Sequence, residues 1–341
     1  MNKTELAAIA QAMVADGKGI LAADESTGTI KKRFDSIQVE STETSRRDYR
    51  EMLFRTTEAM QNHISGVILY DETIRQSAAD GTSLVSLIEQ AGSLPGIKVD
   101  QGAKPFALHA GEMVTEGLDG LRERLVEYGT LGAKFAKWRA VINIADGAPS
   151  TACLNANAHA LARYAALCQE NTIVPIVEPE VIMDGGHSVE RCFEVTSAAL
   201  NALYAALDDQ GVYLEGTILK PNMVVSGTQH AHQAGIDEVA DLTLKCFHAC
   251  VPTSVPGIVF LSGGQSDEDA TAHLDAMNKR GPLPWKLSFS YGRALQAAPL
   301  KAWGGNAAQV PAAQEAFAHR ARMNGLAALG QWDASLEAGG E

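Results

Sequence analysis

Two pairs of charged residues stand out by their spacing. Lys137 and Arg139 lie two positions apart in the run Phe135 to Ile142, and Glu178 and Glu180 lie two apart in Ile173 to Glu180. Both runs are rich in β-branched and apolar residues, as strands are, and in a strand residues two apart share a face. Each pair can therefore line one pocket. Two carboxylates held close cannot both ionise cheaply, which suits one of them to proton transfer near neutral pH. Cations beside them suit an anionic substrate or charge that develops during a reaction. Similar runs end in Asp24, in Glu72, in Lys98 with Asp100, in Lys220, in Ser262-Gly263-Gly264 and in Ser290-Tyr291-Gly292-Arg293. One charged strand end is an ordinary rim residue, but its repetition from run to run argues for a common pocket. Burial of isolated charges costs several kcal/mol each, so such groups must compensate one another.

The elements that would position these residues form a regular series. Strand-like runs span Gly19 to Asp24, Gly66 to Glu72, Ile97 to Gln101, Phe135 to Ile142, Ile173 to Glu180, Thr217 to Asn222, Ile258 to Gly263, and Trp285 to Tyr291. A longer amphipathic or Ala-rich segment follows each. In Thr151 to Glu170, Leu154, Ala158, Leu161, Ala165 and Cys168 fall on one helical face. Ser266 before Asp267, Glu268 and Asp269 reads as a helix cap with an acidic first turn. Alternating β and α units also build open doubly wound sheets, but neither a G-x-G-x-x-G turn after the first run nor a P-loop is present. The expectation is a TIM (β/α)8 barrel at residues 1–303, a single domain with a C-terminal helical extension and tail at 304–341. In such barrels the chemistry sits at the carboxyl ends of the strands.

Composition narrows the function classes. A net charge of -13 disfavours nucleic acid and acidic lipid as partners, so an anionic substrate needs a local cationic pocket. No basic patch with an apolar run opens the chain and no apolar stretch reaches membrane-spanning length, so a cytoplasmic location is expected. The five cysteines have no paired short spacing, which suits a reducing compartment. Cys246, His248 and Cys250 lie in a helix-like stretch, Asp241 to Val251, where they read as fillers rather than as a metal site. His230 and His232 read as solvent-facing.

The segments GKGILAADESTGTIKKR (17–33), GIKVDQG (96–102), AKFAKWRAV (133–141), IVPIVEPE (173–180), LEGTILKPNM (214–223), FLSGGQS (260–266) and SFSYGRALQ (288–296) resemble those of class I fructose-bisphosphate aldolases, in the same order and at matching intervals. The resemblance runs from about Gly17 to Trp303. It implies a (β/α)8 barrel, chemistry without a metal or other cofactor, sugar phosphates as substrates, and commonly a homotetramer.

The resemblance also implies roles. Lys220 matches the lysine that forms a Schiff base with the ketose phosphate, since a protonated imine accepts electrons far better than a ketone. Such an amine must be neutral before attack, which desolvation and nearby cations promote. Glu178 matches the general acid/base and Glu180 its partner, although Glu180 also fits a plain ion pair with Lys137 or Arg139. Asp24 matches the residue that takes the proton of the far hydroxyl and holds Lys137 and Lys220 in register; it also fits a cap of the turn-like Ser26-Thr27-Gly28. Lys137 would stabilise the carbonyl-derived oxygen. One phosphate is expected on Ser262, Gly263, Gly264, Ser290, Gly292 and Arg293. The other is expected on Arg33, Lys98 and Arg139, with Ser26 nearby and Arg46 on the following helix.

Animal members of the family end in a mobile tail with a terminal tyrosine, whereas this sequence finishes Leu336 to Glu341 without one. That difference leaves open which group reprotonates the enamine and the preference between bisphosphate and monophosphate. Two further readings share the fold: another Schiff-base lyase or transferase of sugar phosphates, and a non-catalytic scaffold.

Overall fold

The computed structural model describes residues 1–339. Among the described residues there are ten strands: β1 Gly19–Ala23, β2 Ile64–Leu69, β3 Leu94–Lys98, β4 Ala103–Pro105, β5 Met113–Thr115, β6 Phe135–Ile142, β7 Val174–Val181, β8 Ile218–Leu219, β9 Gly257–Phe260 and β10 Lys286–Tyr291. Eight of them close into a parallel barrel in the order β1-β10-β9-β8-β7-β6-β3-β2. This is the TIM barrel, and each of its strands overlaps one of the eight runs expected from the sequence, β3 only at its end, since it starts at Leu94 and ends at Lys98. The remaining two, β4 and β5, form a small antiparallel ribbon after β3.

Strand alternation sorts each run into an inner and an outer face. On β7, Val174 and Ile176 point inward below Glu178 and Glu180, while Val177 packs outward against the helices. On β6, Phe135 lies inward below Lys137 and Arg139, and Trp138 packs outward. The same order repeats as Ile218 below Lys220 and as Ile20 and Ala22 below Asp24. An apolar layer thus fills the amino half of the barrel and a charged layer stands directly on it.

The Phe135 ring fills space that two glycines leave open. A Cβ at Gly66 would lie 2.9 Å from the ring, and one at Gly96 would overlap it. Helix Lys3–Met13, capped by the Asn2 side chain, closes the floor by burying Leu6, Ala10 and Met13 against the inner core. The large apolar side chains there each contribute about 2 kcal/mol by leaving water. This plug was not anticipated from the sequence.

The expected helix Thr151–Glu170 is present, and Ser266 caps helix Asp267–Asn278 by accepting the Asp269 N–H. Cys246 and Cys250 lie on helix Ile236–Cys250, with Cys246 buried beside Ser197 Oγ. In the C-terminal extension, helix Val310–Ala328 packs on the helices Arg293–Trp303 and Asp267–Asn278. Glu337 folds back to Arg320, His319 and Trp332, which ties the chain beyond that helix to it. Of the tail expected at 304–341, the last two residues lie outside the described ones. Among the described residues no helix is long and apolar enough to cross a membrane.

Candidate active site

The carboxyl mouth of the barrel opens into a cavity of about 830 Å³. Its lining includes Asp24, Ser26, Arg33, Lys98, Lys137, Arg139, Glu178, Glu180, Lys220, Ser262, Gly263, Ser290, Gly292 and Arg293. Thus fourteen of the sixteen residues given a catalytic or binding role from sequence line one space; the exceptions are Gly264 and Arg46.

The centre of the cavity floor is a compact charge cluster. Lys137 Nζ lies 2.7 Å from Asp24 Oδ2 and 3.4 Å from Glu178 Oε2, and Lys220 Nζ lies 3.3 Å from Glu178 Oε1. Both lysines and Glu178 are nearly withdrawn from solvent. Burial alone would raise the Asp24 carboxyl, but Lys137, then Lys220 and Lys98, outweigh it and hold it at about 2. Burial opposes the charge on Lys137, yet Asp24 and Glu178 together push its pKa above the ordinary lysine value. Asp24 is therefore an acceptor at any working pH, and Lys137 a fixed cation. The alternative role of Asp24 as a helix cap is not adopted, since Ser26 is the residue before helix Thr27–Ser36 and the Asp24 carboxylate turns inward to Lys137.

Local sequence explains how Lys220 is presented. β8 is only two residues long, because Pro221 has no N–H to continue the ladder. Asn222 then locks the turn by accepting the Val181 N–H at 3.0 Å and donating to Thr196 Oγ1 at 3.1 Å. Lys220 is left at the strand end with its side chain inside the barrel.

Around this centre Arg139 and Lys98 are paired with carboxylates. Arg139 Nε donates to Glu180, which pushes the guanidinium pKa upward against the effect of burial. Glu180 so placed serves as the ion-pair partner of Arg139. Lys98 Nζ lies 2.6 Å from Asp100 Oδ1, and Asp100 Oδ2 accepts the Arg139 N–H at 3.2 Å.

Four sequence expectations meet a different geometry. Arg46 does not reach the cavity: its Nε and Nη2 grip Glu72 at 2.8 and 2.5 Å, because helix Glu43–Phe54 carries it behind the wall. Glu72 itself belongs to the short helix Asp71–Ile74 rather than to a strand end. Gly264 is turned away, its N–H donating to Met183 Sδ at 2.9 Å. Arg33, expected with Lys98 and Arg139, stands against Gly292 of the other group; a Cβ at position 292 would lie 3.6 Å from Arg33 Nη2. Its neighbours on helix Thr27–Ser36 face solvent, Lys31 pairing with Asp35 one turn on.

Ser262, Gly263, Ser290, Gly292 and Arg293 form the other wall, where Arg293 bonds the Gly263 carbonyl. Gly263 takes φ +57°, a left-handed conformation that glycine adopts without strain. Ser290 Oγ is buried and bonds to no protein group. Gly292 also precedes helix Arg293–Trp303, whose amino end adds a favourable field for an anion. Tyr291 points away: its hydroxyl donates to the Ala270 carbonyl at 2.8 Å, and burial pushes its pKa well up.

Sequence reasoning missed Glu25, which lines the cavity and binds Arg33 at 2.5 Å. Its position next to Asp24, eight residues before Arg33, was the available signal. Among the described residues no group of three His, Cys, Asp or Glu side chains is arranged to hold a metal ion.

Comparison with known proteins follows the same line. The family model described as fructose-bisphosphate aldolase class-I matches residues 5–341. A probable fructose-bisphosphate aldolase class 1 of Xanthomonas campestris pv. campestris is 59% identical over 336 residues, spanning 97% of this chain and 99% of its own. Human fructose-bisphosphate aldolase B is 53% identical over 332 residues, spanning 97% of this chain and 91% of its own. A solved structure of fructose-bisphosphate aldolase from Plasmodium falciparum, in complex with TRAP and a small-molecule inhibitor, superposes with a TM-score of 0.95 at 47% identity, covering 97% of this chain and 96% of that one.

Proposed function

The chain belongs to the class I fructose-bisphosphate aldolase family, and from that premise we propose how its residues divide the reaction. The reaction is the reversible retro-aldol cleavage of fructose 1,6-bisphosphate to dihydroxyacetone phosphate and glyceraldehyde 3-phosphate. Its electron sink is an imine between a lysine and the ketone carbon.

Lys220 is the nucleophile. The observation that carries this choice is the unequal pairing of the two buried lysines: Lys137 meets two carboxylates within 4 Å and Lys220 one. A lysine clamped as a cation cannot attack a carbonyl, which leaves the less paired amine to do so. Glu178 lies within 4 Å of both lysine nitrogens and is the group that can deliver and remove protons as the carbinolamine loses water. Asp24, ionised throughout the working range, takes the proton from the hydroxyl across the scissile bond, and the electrons of the broken carbon–carbon bond pass into the imine as an enamine. Lys137 offsets negative charge on the carbonyl-derived oxygen, an effect commonly worth ~3 kcal/mol.

Ser262, Gly263, Ser290, Gly292 and Arg293 take one phosphate, joined by Arg33 from the facing side; Lys98, Arg139 and Ser26 are assigned to the far end of the substrate. No metal ion takes part. The protein works in the cytoplasm as a homotetramer, the assembly common in the family; the wholly exposed Leu108 at the tip of the β4–β5 ribbon supports a further contact surface.

Steady-state cleavage tests the reading. Fructose 1,6-bisphosphate should be cleaved, at a rate unaffected by a chelator, and with a higher kcat/KM than fructose 1-phosphate. Loss of activity on chelation, or a preference for an unrelated ketose phosphate, would overturn it. Sedimentation equilibrium should return four times the 36.2 kDa chain mass.

A further inference from the structure

A row of alternating charges runs back from the cavity wall, and the bond-breaking step does not use it. Arg33 Nη1 donates to Glu25 Oε1 at 2.5 Å, and Gln296 Nε2 donates to the same oxygen at 2.9 Å. Gln296 also donates to the Ala22 carbonyl at 2.7 Å, which ties the Glu25 carboxylate to the end of β1. Behind Glu25, Arg50 donates to its backbone carbonyl at 2.8 Å and lies 3.8 Å from Oε2. Arg50 in turn lies 3.8 Å from Glu72, which Arg46 grips. The order is Arg33, Glu25, Arg50, Glu72, Arg46, with Glu25 7% exposed and Arg50 1% exposed.

Apolar side chains of equal volume would hold helix Glu43–Phe54 on the barrel without desolvating charge, and often do so better. What they cannot do is fix a guanidinium in one orientation, which a charge-assisted bond to a carboxylate does. The front end of the row is the orienting one. With Nη1 engaged by Glu25, Arg33 presents Nη2 toward Gly292, at the amino end of helix Arg293–Trp303. A bare carboxylate so close to a phosphate site would repel the ligand; Arg50, set directly behind it, offsets that charge.

We propose that Glu25 is a positioning residue for substrate phosphate, holding the Arg33 guanidinium toward Gly292 while Arg50 neutralises the carboxylate from behind. The inference rests on the aldolase reading above and deepens it. An arginine ordered before binding does not lose its freedom on binding, so the gain appears in substrate affinity and not in the chemical step.

The test is the kinetics of fructose 1,6-bisphosphate cleavage by Glu25→Gln and Glu25→Asp, each made alone and together with Arg33→Ala. Glu25→Asp keeps the charge opposite Arg50 but draws the carboxylate back from Arg33, so it reads the same role should the glutamine variant not fold. Each single change should raise KM about tenfold with kcat within about twofold, and should add nothing once Arg33 is alanine. An unmoved KM in a folded variant, a fall in kcat at constant KM, or an equal effect with and without Arg33 would overturn the proposal. Borohydride trapping with dihydroxyacetone phosphate separates the two levels. Wild-type protein that is not trapped refutes the aldolase reading, whereas trapping retained alongside an unmoved KM refutes only the positioning role.

Discussion

Replacing Asp24 with asparagine removes one charge from the buried cluster while nearly preserving its shape. The carboxylate lies 2.7 Å from Lys137 Nζ, with Lys220 and Lys98 as its further cationic neighbours. Burial raises its pKa, but these lysines prevail and hold it at about 2 against an ordinary value of 3.8. Because the folded value is the lower one, Asp24 stabilises the fold above its unfolded pKa and loses that contribution as pH falls toward 2. A depression of nearly two units corresponds to about 2 kcal/mol, of which about half is gone by pH 3. Urea unfolding followed by tryptophan fluorescence should therefore show wild type ahead of Asp24→Asn by at least about 2 kcal/mol at pH 7, since the variant also leaves Lys137 short of a partner. The gap should hold down to about pH 5 and then close by about 1 kcal/mol at pH 3. A gap that stays constant over that range would refute the electrostatic reasoning, whatever happened to activity.

Arg293→Ala should weaken substrate binding by about 1.5–3 kcal/mol, the range for a hydrogen bond to a charged group, read as KM with the fold intact by circular dichroism. Unchanged KM would remove Arg293 from the phosphate site. Arg46→Ala should lower urea stability, because it leaves Glu72 only the more distant Arg50 as a cationic partner, while leaving KM and kcat near wild type; a large rise in KM would return Arg46 to the substrate site. Gly96→Ala should destabilise by about 1–3 kcal/mol, since its methyl group would overlap the Phe135 ring at the barrel floor; an unchanged melting temperature would show that the ring moves freely.

The barrel and its charged layer were legible in the sequence because both follow from alternation. Glu178 with Glu180, and Lys137 with Arg139, share a face whatever the surrounding helices do, and the barrel then brings β6 beside β7 with Arg139 opposite Glu178 in register. Where the chain leaves a strand that certainty ends. Arg46 and Arg33 both sit on helices near the site, and nothing in their spacing says which faces the cavity; Glu72 takes the first and Glu25 the second. Gly264 was assigned through its motif, but Met183, in the turn after β7, captures its N–H. The β4–β5 ribbon has three-residue strands, too short for a period to show, and helix Lys3–Met13 looks like an ordinary surface helix until the open barrel floor demands a plug.

The central claim is that one buried amine, Lys220, and not its neighbour Lys137, joins covalently to the substrate ketone. Incubation with dihydroxyacetone phosphate followed by borohydride reduction and peptide mapping tests it directly. The modification should fall on Lys220 alone and vanish in a folded Lys220→Ala variant. Label on Lys137, or none at all under conditions of active cleavage, would contradict it.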